Sequence, residues 1–462
     1  MTPLRGGSSP SPFFTGERLA ARPVRARSLL GLLGGWGLLL ALAGFAPAVE
    51  EPPGAAGGSP LTATEVLSSI VSDVHKVVTT HATKALRDAA SRLAATADSP
   101  GGGEAPGGPP RRDSRDNDPS HPLSPGAREI LAAIRHDPPP ESIIRETHYW
   151  RSNEQAHEVW AEHIDGLGGA YVGVGADQNY VLAGWARPSL MILMDFDMGI
   201  VNLHRLYHAA FVLAPTPADF MAVWRGPPEV LLSKAESLYP HERQAELRYA
   251  SRAATWRVRQ QLGRVRARHL SLKIASILTD EAQYAHVRDL WLNGRITAVR
   301  GDLTGPHTML DIAVALDKLG IPLNTLYLSN AEQYFSFGSG YRRNIAALPF
   351  GERGCLLRTA HTKHYDQPSD EPFYHFSMQS GANARMWMLY GYPKRFWQLY
   401  KYRTLTATTG LSEIRLLPPS PGEPRIIPET LPSGEESALL RARLLQPLLP
   451  DFDELRCGVR GD

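Results

Sequence analysis

The chain has 462 residues, 43% of them hydrophobic, which is enough for a substantial core and room for two or three domains. A net charge of +2 supplies no global attraction to nucleic acid or membrane, so any basic partner site must be local. The two cysteines, Cys355 and Cys457, exclude a cysteine-built zinc or iron–sulfur centre; a single disulfide stays open, while the apolar run Cys355-Leu-Leu favours a buried free thiol.

Residues 1–48 read as a signal peptide or membrane anchor. Arg18, Arg22, Arg25 and Arg27 precede the apolar run from Ser28 to Phe45, and Ala46-Pro-Ala48 offers a small-x-small cleavage site. The run is also long enough to remain in a bilayer as a single anchor with the arginines inside. Either outcome exports the rest of the chain, to the periplasm or the outer face of a membrane; a wrongly assigned start codon would leave it cytoplasmic.

Residues 49–126 read as a tether, a stalk helix and a disordered linker. Val49 to Pro60 is rich in Pro, Gly and Ala, and from Thr62 to Ala97 the positions Val66, Ile70, Val74, Val77 and Ala85 fall on one face of a long helix. Such a helix cannot bury its stripe alone, so residues 62–97 either self-associate or fold back onto the body. Ser99 to Gly126 is a low-complexity stretch that no core could order.

The body is expected over 127–417. A helix over Ala127–Arg135 and a second over Asn153–His163 lead to the glycines at 166, 168 and 169. Tyr171-Val-Gly-Val is the first strand, and Asp177 can cap the helix after it, which must stop before Pro188. Leu190 to Met194 is apolar throughout, as in a strand buried on both faces of a parallel sheet. A helix over Gly199–Leu213 follows, and residues 217–290 form a helical insertion between sheet units. Strands return at Ile296–Val299, Asn324–Leu328, Cys355–Thr359 and Phe373–Met378. Residues 418–462 are a proline-rich tail with one amphipathic stretch, Glu435–Leu449, read as docked or loose and without function.

This alternation predicts an α/β fold with a doubly wound, mostly parallel sheet, in which ligands sit outside the carboxyl ends of the strands. Gly173 and Gly175 at the first tip let backbone pass close under a ligand, with the next helix offering its amides. Asp195 or Asp197, at the end of the second strand, can accept hydrogen bonds from ribose hydroxyls, and Asp302 is spaced to meet a base. Dinucleotide binding is disfavoured, because Gln178 stands where the third glycine of G-x-G-x-x-G would be.

The order Val172-Gly-Val-Gly-Ala-Asp177, Met194-Asp195, Gly301-Asp302 and Leu328-Ser-Asn-Ala-Glu332 resembles the successive motifs of class I S-adenosylmethionine-dependent methyltransferases. More closely, Tyr171 to Tyr180 together with Tyr327 to Phe335 resembles an uncharacterised bacterial domain family with a methyltransferase-like fold. The resemblance spans about residues 145 to 400. It implies a Rossmann-like fold and S-adenosylmethionine as cofactor, with Gly173 and Gly175 near the methionine part and Asp177 among the cofactor-binding residues. It further implies Asp195 or Asp197 at the ribose, Asp302 at the adenine, and Ser329 or Asn330 beside the transferred methyl. Ser329-Asn-Ala-Glu departs from the Asn/Asp-Pro-Pro-Tyr sequence of amine-methylating enzymes, and neither an acceptor nor a general base is identified.

The alternative is an exported, non-catalytic binding or scaffold module that keeps the fold, since export would separate the domain from a cofactor made in the cytosol. An exported hydrolase built on His361, His364 and Asp366 lacks an accompanying nucleophile motif. His204 and His208, four apart on a helix, read as packing residues without a third metal ligand. Residues 248–273 carry Arg248, Arg252, Arg257, Arg259, Arg264, Arg266, Arg268 and Lys273 with no acid. Such a face suits anionic lipid or glycan, with nucleic acid disfavoured for an exported chain.

Overall fold

The computed structural model describes residues 114–143, 146–362, 365–367, 371–390 and 393–418, with 440, 443, 444 and 457. All belong to the compact unit Pro106–Asp462. The leader at 1–48 and the stalk helix at 62–97 lie outside the described residues, as does most of the tail.

The architecture is α/β. Twelve α-helices among the described residues accompany one eight-stranded, mostly parallel mixed sheet. In chain order the first elements are α1 (Pro125–Ala132), α2 (Ala161–Ile164), β1 (Ala170–Val174), α3 (Gln178–Ala186), β2 (Leu190–Asp195) and α4 (Met198–Leu213). The helical stretch α5 (Pro217–Arg225), α6 (Pro228–Leu238), α7 (Gln244–Leu272) and α8 (Glu281–Leu292) follows. The sheet resumes with β3 (Ile296–Arg300), α9 (Thr308–Leu319), β4 (Leu323–Tyr327), α10 (Ser339–Ala347), β5 (Phe350–His361) and β6 (Tyr374–Ser380). The last elements are α11 (Gly381–Tyr390), α12 (Phe396–Tyr400), β7 (Thr404–Leu405) and β8 (Leu411–Glu413).

The strand order is β3-β2-β1-β4-β5-β6-β8-β7. The first five strands are parallel, β6 runs against β5, and β7 runs against β8. The chain therefore winds outward from β1 in one direction through β2 and β3 and in the other through β4 and β5, and the tips of β1 and β4 flank the reversal.

Period-two alternation divides the core between the faces of the sheet. Tyr171, Met191, Leu193, Tyr327 and Leu357 point into one cluster with residues of α3 to α8. Val172, Leu190, Ile192, Met194, Leu326 and Leu356 point into another with α1 and α9 to α12. Every residue of β2 is buried, and each large apolar side chain there contributes about 1.5–3 kcal/mol relative to exposure. This two-sided burial is why its sequence is apolar without alternation.

Three expectations are revised. The helix read over 153–163 shortens to a 3-10 turn at His157–Trp160 followed by α2. Ser152 and Glu154 before it are buried and hydrogen-bonded in an extended strap, which holds the backbone out of a helix. Packing begins at Ser114 rather than Ala127, because Asp116 accepts both the amide and the hydroxyl of Ser124 while Arg295 donates to the carbonyls of Asp116 and His121. Cys355 is no free thiol: it is bonded to Cys457, 102 residues away, which brings part of the tail against β5. The tail also touches the body through buried Leu440 and Leu444, and through Arg443, which pairs with Asp317 and donates to the Ala347 carbonyl.

Candidate functional site

A cleft of about 100 Å³ opens at the reversal point between β1 and β4. Gly175 from the first tip, Asp195 from the second, Ser329 and Asn330 from the β4 tip, and Arg151 and Ser152 from the strap are among its walls. Gly173, Asp177, Asp197 and Asp302 are not.

The β1 turn is built from the inside. A side chain at Gly173 would place its Cβ 2.0 Å from Asn179 Oδ1 and 2.5 Å from the Tyr171 ring. Asn179 is fully buried, accepts from the Tyr171 hydroxyl at 2.9 Å and donates to the Val174 and Ala176 carbonyls. Gly173 thus serves this lock. Gly175 has φ +89°, a region L side chains avoid, and its carbonyl accepts from His204 Nε2 at 2.8 Å. Burial lowers the His204 pKa to about 4, so the ring is neutral; with Nε2 donating, Nδ1 accepts from the Tyr180 hydroxyl at 2.8 Å. His204 therefore clamps the turn. His208 accepts the Tyr239 hydroxyl or donates to it at 2.8 Å and stacks on Trp291.

Asp177 stands at the N-terminus of α3 but does not cap it with its side chain. Its Oδ1 accepts the Ser152 amide at 2.7 Å, fastening the strap, and burial raises its pKa. Asp195 is 7% exposed and accepts the Asp197 amide at 2.9 Å. Burial raises its pKa to about 7, with the Asp197 charge adding to the rise and nearby backbone amides opposing it. Asp197 caps α4 through the Gly199 amide at 2.8 Å and faces His148 Nδ1 at 2.7 Å, so both its oxygens are engaged.

Asp302 accepts the amide and hydroxyl of Thr304 within its own loop. The β3 tip is filled instead by Asp137, 1% exposed, which accepts the amides of Asp302 at 2.9 Å and His307 at 2.8 Å. This carboxylate arrives from 165 positions earlier, and no local spacing announces it.

Ser329 has φ +52°, unusual for a residue with a side chain. Its hydroxyl donates to Glu154, a strap carboxylate with no exposure that also accepts from Thr359 Oγ1 at 2.6 Å and the Tyr327 hydroxyl at 2.5 Å. His157 Nε2 lies 3.1 Å from the same group. Burial opposes ionisation of Glu154, yet His157 and the hydroxyl donors outweigh it and hold the carboxyl below its ordinary range; the His157 pKa rises in return. Glu332, closing the same motif, is buried against Arg358 at 2.6 Å and accepts from Tyr341. Sequence spacing marked Ser329 and Glu332 but not the buried partners that hold them.

Two other clusters are placed by the fold. His375 Nε2 lies 2.8 Å from Ser412 Oγ, while its Nδ1 lies 2.6 Å from the Asp366 main-chain carbonyl and 3.4 Å from the Asp366 carboxylate, so the line resembles a serine–histidine–aspartate arrangement only in part. Both Ser412 and His375 are wholly buried, which denies the hydroxyl a substrate. His361 stacks on Phe373 and is no part of that line; His364 lies outside the described residues. On α7, Arg248 pairs with Glu236 and Arg268 with Glu158, so the basic face is partly neutralised by the body. Arg252, Arg259 and Arg266 remain exposed. Among the described residues no group of three or more histidine, cysteine or acidic side chains is arranged to hold a metal ion, and no helix is long and apolar enough to cross a membrane.

No curated protein matches the chain. The family described as a domain of unknown function, DUF7790, matches residues 149–415, from the strap to the strand pair that ends the sheet. The chain belongs to the DUF7790 family.

Proposed function

We propose that the domain is an S-adenosylmethionine-binding, methyltransferase-like protein with a Rossmann-like, doubly wound fold. The observation that carries this reading is convergence: Gly175 and Asp195 from two consecutive strand tips, and Ser329 and Asn330 from a third far along the chain, line one cleft at the reversal of strand order. In this reading Asp195 accepts from the ribose hydroxyls, the Gly175 turn meets the methionine part, and Ser329 and Asn330 border the methyl group. Methyl transfer asks mainly for alignment of nucleophile, methyl carbon and sulfur, so the site needs no elaborate acid–base apparatus. The acceptor is unassigned.

A second reading, an exported non-catalytic module that keeps the fold, has its own support. The cleft is smaller than the roughly 300–1,000 Å³ usual for ligand sites. Asp137 fills the β3 tip where an adenine would be met. The Cys355–Cys457 bridge suits an oxidising compartment, remote from a cytosolic cofactor. Calorimetry with S-adenosylmethionine and S-adenosylhomocysteine separates the two: binding abolished by Asp195→Ala supports the first reading, and absence of binding supports the second.

A further inference from the structure

A larger cavity, about 330 Å³, adjoins the cleft and shares Tyr149, Arg151, Ser152 and Asn153 with it. His148, Trp150 and Arg151 form one wall, and Arg257, Gln261 and Arg264 of α7 form the other. Its volume is within the range of small-molecule sites. No carboxylate lines it. Acids bonded to its lining residues are already engaged: Asp197 by His148 and the Gly199 amide, buried Asp177 by the Ser152 amide, and Glu371 by the Gln155 amide.

The three arginines keep unspent donors. Arg257 gives one to the Ala253 carbonyl of its own helix, and Arg264 gives one to Gln261 Oε1. Arg151 makes no hydrogen bond or ion pair with any described residue, and it borders both this cavity and the cleft at the β1 tip. Three guanidinium groups around one acid-free hollow suit an oxyanion, which they can meet with paired N–H donors. The part-exposed ring of His148, backed by buried Trp150 with ring centroids 4.8 Å apart, and the exposed ring of Tyr149 suit a flat apolar body.

We infer that this cavity binds a small molecule carrying a phosphate or carboxylate on an aromatic ring. The inference does not depend on the cofactor reading above: Arg151 borders both hollows, but Arg257, Gln261 and Arg264 line this one and not the cleft.

The test titrates the full chain calorimetrically with phenyl phosphate, benzoate and inorganic phosphate. Phenyl phosphate or benzoate should bind at least tenfold more tightly than inorganic phosphate, and the better of the two identifies the oxyanion. Arg151→Ala and Arg264→Ala should each weaken that binding about tenfold, which corresponds to about 1.4 kcal/mol. Arg151→Lys should recover part of it, and both alanine variants should keep the wild-type melting temperature. Arg259→Ala, on the same helix but outside the cavity, should change nothing, and Asp195→Ala should leave phenyl phosphate binding intact even if it abolishes cofactor binding. Failure of both aromatic anions to bind at millimolar concentration, equal binding of inorganic phosphate, or an equal loss in Arg259→Ala overturns the inference.

Discussion

Ser329 at the tip of β4 donates its hydroxyl to buried Glu154 of the strap, joining residues 175 positions apart behind the cleft wall that Ser329 forms. The bond explains a left-handed serine. The Ser329 backbone pays about 1 kcal/mol or more for φ +52°, and the fixed hydroxyl offsets that strain while holding the strap against the strand tip. Ser329→Gly, which loses the bond but relieves the backbone, is therefore expected to be more stable than Ser329→Ala, which loses the bond alone. Urea unfolding of the two variants checks the order, and the reverse order refutes the argument.

Glu154 is the hub of that network, so its loss has a larger effect. Glu154→Gln leaves His157 buried beside a neutral amide and removes acceptor capacity for three hydroxyls. We expect a destabilisation of about 3–5 kcal/mol, the usual cost of breaking a buried charged pair. The pH dependence has a definite sign. Because the folded Glu154 pKa is lowered, its contribution is present above the unfolded carboxylate range and lost as pH falls through the folded value. Because the His157 pKa is raised, its contribution is present at low pH and lost as pH rises through the folded value. Stability measured against pH should thus narrow from both sides in wild type and flatten in Glu154→Gln.

Asp195 behaves oppositely to Glu154. Its folded pKa of about 7 lies above its unfolded value, so it weakens the fold increasingly as pH rises between the two and by a constant amount beyond. Asp195→Asn should stabilise the protein at pH 8, by on the order of 4 kcal/mol, and hardly at all near pH 4. Thermal melts at the two pH values decide it; equal shifts at both would contradict the raised pKa of the buried carboxyl.

The bridge between Cys355 and Cys457 closes a loop of 102 residues. Constraint of the unfolded chain over such a loop is worth about 4–5 kcal/mol in the chain-entropy account. Cys457→Ser should cost about that much in guanidinium unfolding, and the native protein should show no titratable thiol before reduction. One accessible or buried free thiol per cysteine, counted in denaturant without reductant, would contradict it.

The parts of the fold that read clearly from sequence are those where a local pattern has one physical meaning. Leu190 to Met194 can only be a strand buried on both faces, and a carboxylate directly after it, Asp195, falls at the sheet's carboxyl edge. Asp197 carries the same spacing but is spent on capping α4 and on His148, a distinction of two residues that spacing does not make. Gly173 reads as a ligand-facing glycine, yet the group that needs its missing side chain is Asn179, within the same unit. The strap was the largest loss. Its polar residues have no period, and their partners, Asp177, Ser329 and Thr359, become neighbours only when the sheet forms. Asp137 is hidden for the same reason, and the Cys355–Cys457 pairing is no more than an open alternative in the sequence, since each residue acts on a strand far away in the chain.

The central claim is that the cleft lined by Gly175, Asp195, Ser329 and Asn330 is a cofactor site. Titration of the full chain with S-adenosylhomocysteine, in parallel with Asp195→Ala, tests it most directly. The account predicts saturable one-to-one binding in wild type that Asp195→Ala weakens at least tenfold. Absence of binding in wild type, or binding that Asp195→Ala leaves unchanged, would contradict it.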